Sequence, residues 1–255
     1  MTSTATCNRQ WNPGIEMASP GDTTSSDADA AFSTWDIRYG SRKTRTLNVQ
    51  GSGRPIILLH PFGVAADTWG PVLGSLGRSG NNAYAPDLIG AGRADGFTTG
   101  PLLPQLDEFV AAVVAAHSTE GPVTLVGVSH SAVLALRAAA AAPHSVNAVI
   151  AVGVPHSESP IARCRAIAMR SSVPRLSKPL RRELRRLTVD NPVTCPTIIV
   201  QGLRGTSGAI NSARRLQEAL PHSRLALLPR SGPFTHRDNP MRIAAYAREL
   251  AAMAR

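Results

Sequence analysis

LVGVSHSAV, Leu125–Val133, decides the fold. The apolar run GPVTLVGVS precedes its serine, and the alanine-rich segment Ala132–Ala142, stopped by Pro143, follows it. That order describes a strand turning sharply into a helix, with a hydroxyl at the apex. Such a turn crowds the residues two before and two after the apex, so both must be small. Gly127 and Ser131 meet this demand. Ser129 is therefore a candidate nucleophile, and the question is what takes its proton.

Outward from this turn the chain alternates strand and helix patterns from Trp35 onward. TRTLNVQGSGRPIILLH reads as a hairpin strand and a buried run, Ile56–Leu59, and NNAYAPD as a further short strand. Leu106, Phe109, Val110, Val113 and Val114 fall at i, i+3, i+4, i+7 and i+8, one apolar helix face. VNAVIAVGV, CPTIIVQG and SRLALLPR supply three more strands. Asn211 can cap a helix bearing Leu216 and Leu220, and a final helix buries Ile243, Tyr246, Ala247 and Leu250. Strands separated by crossover helices imply an α/β fold with a mostly parallel, doubly wound sheet covered on both faces. Chemistry in such sheets sits beyond the carboxyl ends of the strands. LLHPFG, APDLIGAG, GVSHS, GVPHSES, QGLRGTSG and LPRSGPFTH all lie there.

A chain of 255 residues suits one such domain. No apolar run approaches the ~18 residues of a spanning helix. Residues 1–34, rich in Ser, Thr, Asp, Gly and Pro, have no apolar signal segment and are expected to be a disordered leader. Three scattered cysteines, Cys7, Cys164 and Cys195, have no metal spacing and fit a reducing cytoplasm. Net charge is +10, and the leader holds one base against four acids, so the folded part carries about +13, nearly all from Arg. A GC-rich genome explains this bias as well as a basic ligand does. No nucleic-acid motif, metal cluster or cofactor fingerprint accompanies it, so no nucleic-acid partner and no cofactor are expected.

Gly127-Val128-Ser129-His130-Ser131 resembles the nucleophile elbow of the α/β-hydrolase superfamily, with Ser131 in place of the last Gly. The resemblance runs collinearly from Arg45 to the C-terminus. IILLHPFG with Trp69 looks like that family's strand, oxyanion loop and aromatic, and APDLIGAGRAD like its D-x-x-G-x-G-x-x-D segment. RLALLPRSGPFTHRDNP looks like its last strand, histidine loop and helix start. The resemblance implies a hydrolase-type domain over residues 35–255, with a short helical lid inserted at about 156–191. It also implies an oxyanion hole formed by the N–H groups of Phe62 and His130, two donors aimed at developing negative charge. His60 and Asp87 are expected to tether their loops.

A serine needs a positioned imidazole to remove its proton and a carboxylate to orient that imidazole. The family's acid position falls on Gly205, and no Asp or Glu lies between Asp190 and Glu218. The histidine position falls on Pro233, with Phe234 and Pro240 keeping the register. Substitutes are His236 or, second, His156 as base, with Glu158 behind; a loop contact is the plainer role for His236.

The insertion His156–Asn191 carries nine basic residues against Glu158, Glu183 and Asp190. Leu180, Leu184 and Leu187 make PLRRELRRL an amphipathic helix whose outer face bears Arg181, Arg182, Arg185 and Arg186. This is a solvated charged face, or an attractor for an anionic or carrier-protein-bound substrate. Two functions remain open. One is a degenerate-triad enzyme acting on a small acyl or carbonyl compound in secondary metabolism, by elimination, cyclisation, rearrangement or unusual ester or thioester chemistry. The other is a non-catalytic ligand-binding or carrier-protein-interacting descendant.

Overall fold

The computed structural model describes residues 15–17, 32–119, 121–155, 177–184, 187–205 and 207–253. Its centre is β6, Val123–Val128, every residue of which is buried. A strand hidden on both faces is mostly apolar, which is why VTLVGV shows no alternation; its one hydroxyl, on Thr124, donates to Asn147 Oδ1 at 3.0 Å. Around it lie β4 (Ser52–Leu59), β5 (Asn81–Pro86), β7 (Val146–Val152), β8 (Thr197–Gly202) and β9 (Ser223–Leu228), all parallel to it. β3 (Arg42–Val49) runs antiparallel to β5, and β2 (Ser33–Tyr39) antiparallel to β3. β1, Ile15–Met17, completes a sheet ordered β1-β9-β8-β7-β6-β4-β5-β3-β2.

Period-two alternation sends the residues of each strand to two cores. On one face Ile57, Leu59, Leu125, Val149 and Ile199 pack under α2 (Leu102–His117) and α3 (His130–Ala141). On the other, Ile56, Leu58, Val126, Ile150 and Ile198 pack under α1 (Gly70–Arg78) and α7 (Pro240–Ala251). The expected doubly wound α/β architecture is thus present. β4 and β6 are neighbours although β5 intervenes in sequence. The chain therefore switches direction across the sheet at β4/β6, which opens a crevice at their carboxyl ends.

Several details differ from the expectations. The leader is not structureless throughout, because Ile15–Met17 pairs with Leu225–Leu227 as an edge strand. β2 starts two residues before Trp35, and α3 two residues before Ala132. α5 (Ser207–Ala219) begins four residues before Asn211. Asn211 is an exposed residue inside that helix, where its intrinsic cost is a few tenths of a kcal/mol.

Of the lid, α4 (Lys178–Leu184) is described, with Leu180 and Leu184 buried and Leu187 half-buried beyond it. Glu183 accepts the N–H groups of Leu102 and Leu103, both at 2.8 Å, and so caps α2 from outside. Arg137 of α3 grips Asp107 with two nitrogens and donates to the Thr188 carbonyl at 2.8 Å. The returning arm of the insertion is therefore fixed to the body through α2 and α3.

Candidate active site

Ser129 sits between β6 and α3 with φ 59° and ψ −125°, a strained conformation for a residue with a side chain. Its N–H donates to the Val152 carbonyl at 2.8 Å, which holds the apex against β7. A Cβ on Gly127 would lie 2.3 Å from the Ser131 carbonyl oxygen, so this position admits only glycine. Ser131 has a further part. Its buried hydroxyl accepts the Val128 N–H at 2.9 Å and lies 2.8 Å from the carbonyls of both Leu59 and Val128. One hydroxyl so links the ends of β4 and β6, which explains a serine where the elbow pattern has glycine.

The loop after β4 carries Phe62, the second donor that the resemblance implies. His60 is fully buried; its Nε2 accepts the Leu88 N–H at 2.9 Å, and Nδ1 lies 3.0 Å from the Pro61 carbonyl. Those bonds assign the proton to Nδ1, and burial depresses the imidazole pKa. Asp87 accepts the N–H groups of Ala66 and Arg93 and two nitrogens of Arg45. Both residues tether loops, as expected. Among the described residues, the N–H groups of Phe62 and His130 donate to no protein acceptor. At His130 the cause is its place as first residue of α3, where a helix leaves its N–H unsatisfied.

The two loop positions where the resemblance implies an acid and a histidine are Gly205 and Pro233. At Gly205 a Cβ would lie 3.0 Å from the Gly202 carbonyl and 3.1 Å from Gln201 Nε2, so a side chain there would be tightly crowded. The Pro233 carbonyl would be 2.7 Å from a Cβ on Gly153, so its loop lies close to the residue that follows Val152. The loop itself is cross-braced by Asp238, which accepts the Gly232 N–H at 2.7 Å.

His236 is 1% exposed in α6 (Thr235–Asp238). Its Nε2 lies 2.9 Å from Thr68 Oγ1, and its ring packs on Trp69 at 4.9 Å. Nδ1 is buried without a partner, and burial pushes the pKa down to about 3. The anticipated hydrogen bond between His236 and Ser129 is absent; the ring braces the 3₁₀ turn Ala66–Trp69 instead. His156 and Glu158, like Arg185 and Arg186, lie outside the described residues. On α4, Arg181 is half-buried and Arg182 exposed.

The side chain of His130, expected to lend only its N–H, is brought to the hydroxyl. His130 Nδ1 lies 3.4 Å from Ser129 Oγ. The ring is half-buried, and burial lowers its pKa to about 4. Among the described residues, no group of His, Cys, Asp or Glu is placed to hold a metal ion, and no helix is long and apolar enough to cross a membrane.

A family model described as "Alpha/beta hydrolase family" matches residues 56–253. No curated protein matches the chain. Among solved structures, a serine hydrolase involved in carbazole degradation (CarC enzyme) is 18% identical, with TM-score 0.69 over 88% of this chain and all of that one. The meta-cleavage product hydrolase CumD from Pseudomonas fluorescens IP01 gives 18% identity and TM-score 0.69 over 85% of this chain and 96% of its own. A thioesterase domain from the curacin biosynthetic pathway gives 17% identity and TM-score 0.64 over 85% and 99%.

Proposed function

Because the chain belongs to the α/β hydrolase family, we propose that it is an enzyme acting on a small acyl or carbonyl compound without that fold's usual histidine–acid relay. One observation carries this reading: among the described residues the Phe62 and His130 N–H groups donate to no protein acceptor, and the resemblance puts Gly205 and Pro233 where the acid and the histidine are expected. Two such donors form an oxyanion hole that polarises a carbonyl and stabilises the charge developing on its oxygen, whichever bond then breaks. Ser129 serves as nucleophile or as hydrogen-bond donor. Elimination, cyclisation, rearrangement and slow ester or thioester chemistry all draw on that same stabilisation. They are the reactions of a secondary-metabolism enzyme in the cytoplasm.

The lid insertion favours an anionic or carrier-protein-bound substrate, since Arg181 and Arg182 stand on α4 and Arg185 and Arg186 follow them. Glu158 of the same insertion is the candidate orienting acid, on sequence grounds alone.

The test is a panel of p-nitrophenyl acetate, p-nitrophenyl butyrate and short acyl thioesters. Product release above the solution rate is expected, falling to that rate in Ser129→Ala. No release from any substrate, with the same ligands bound equally by wild type and variant, would instead assign a binding protein.

A further inference from the structure

We propose that the imidazole of His130 is the proton acceptor of Ser129, a Ser–His pair contained within the elbow itself. The inference rests on the reading of Ser129 as a nucleophile and adds its base.

The chain has seven histidines, and six of them are described. His60 is occupied by Leu88 and Pro61, His236 by Thr68, and His117 by the Tyr39 hydroxyl at 2.7 Å. His144 and His222 are exposed residues that precede β7 and β9, at the end of the sheet away from the elbow. His130 alone of the six lies beside the hydroxyl, with Nδ1 3.4 Å from Oγ. That separation is long, as hydrogen bonds to catalytic groups often are before substrate tightens them. Nε2 has no partner among the described residues. A proton can therefore reside on Nε2 while the Nδ1 lone pair faces the serine. Burial is the only cause of the lowered pKa, and it keeps the ring neutral at pH 7.

In the acyl-transfer step the Oγ–H proton passes to Nδ1 and the Oγ–carbon bond forms. The carbonyl π pair moves onto oxygen, facing the N–H groups of Phe62 and His130. Collapse re-forms the carbonyl, breaks the bond to the leaving group and returns the Nδ1 proton to it. A water then repeats the sequence, its proton going to Nδ1 and the serine leaving with it. One residue would thus supply both an oxyanion donor and the base. A ring so weakly basic, with no carboxylate seen to orient it, makes turnover slower than with a full triad.

The experiment is a time course of fluorophosphonate labelling at pH 7.5, read by intact mass, in which Ser129 Oγ displaces fluoride. Wild type is expected to gain one adduct, absent in Ser129→Ala. His130→Gln should label at least ~100-fold more slowly, the lower range for a general base. Added imidazole should restore His130→Ala in part, and His236→Gln should stay within a few-fold of wild type. Circular dichroism identifies variants that fold, and His130→Asn replaces His130→Gln if the latter does not.

Wild-type labelling of a His130 variant overturns the pair, and so does loss without imidazole rescue, which would assign His130 a structural part. Wild type that turns over a carbonyl substrate yet never labels also overturns the pair, while leaving the polarising N–H groups in place. Wild type that neither labels nor turns over any substrate removes both readings.

Discussion

Gly127→Ala is expected to destabilise the protein by ~3 kcal/mol or more, at the upper end for an added core methyl. The new Cβ would meet the Ser131 carbonyl at 2.3 Å and the Ala132 Cα at 2.6 Å. Both are backbone atoms at the start of α3, so no side chain can swing aside. Relief requires moving α3 off β6, which would also displace Ser129 from its strained φ and the His130 N–H from the crevice. In a chain of this size such a loss lowers Tm by roughly 10 °C. Ser131→Gly, which restores the usual glycine, should also destabilise, by ~1–2 kcal/mol, because the latch between the ends of β4 and β6 is lost. Gly96→Ala is the control, since a Cβ there meets nothing within 4 Å. Urea unfolding of the three variants checks the set, and Gly127→Ala within 1 kcal/mol of wild type would contradict the steric account of the elbow.

The second large effect is acid lability starting near neutrality. His60, His117, His130 and His236 all have depressed pKa values, and burial is the leading cause in each. A buried imidazole that stays neutral while its unfolded counterpart charges near pH 6.5 makes the unfolded state bind more protons below that pH. Stability is then fully present above about 6.5 and falls with decreasing pH, until the folded values are reached at about 4 for His117 and His130 and about 3 for His236. Each fully engaged group contributes ~1.4 kcal/mol per pH unit. His117 is part-buried and contributes less, through solvent screening. Against a typical total of ~5–15 kcal/mol, unfolding before pH 4 is expected. His236→Gln should be less stable at pH 7.5, having lost its contacts to Thr68 and Trp69, and should show a shallower pH slope. A urea midpoint constant from pH 7.5 to pH 5 would contradict this assignment.

What could be read in advance follows from where each signal resides. β6, β7 and β8 are buried, mostly apolar runs, and α2 and α7 repeat their apolar residues at helical spacing, so burial dictates them. α1 carries no readable signal because GPVLGSLGR has three glycines and a proline, and intrinsic propensity argues against a helix. Tertiary packing overrides that: Val72, Leu73 and Leu76 are fully buried, and Gly77 is set so close to Val49 that a Cβ there would lie 3.1 Å from a Val49 methyl. β1 gave no signal, since three residues in a polar leader are specified only by their pairing with β9.

At the site, the elbow was legible because its steric rule acts on neighbours in the chain. Gly205 and Pro233 could be read from the sequence as the residues at the positions where the resemblance implies an acid and a histidine. The partner of His236 was not, because Thr68 is 168 residues away and only the folded chain brings it near. The serine at position 131 was a readable hint that a hydroxyl is bonded there. The direction of the His130 ring was not readable, since it depends on the rotamer and on the φ of Ser129.

The claim beneath all of this is that the Phe62 and His130 N–H groups form a working anion site served by no loop histidine. Butylboronic acid, which becomes a tetrahedral anion on serine or on hydroxide, probes it in a ¹H–¹⁵N amide titration near pH 7.5. The account predicts saturable downfield shifts of the Phe62 and His130 amide protons while the ring resonances of His236 stay still. Unmoved amides at both positions, or a His236 ring that shifts with the ligand, would contradict it.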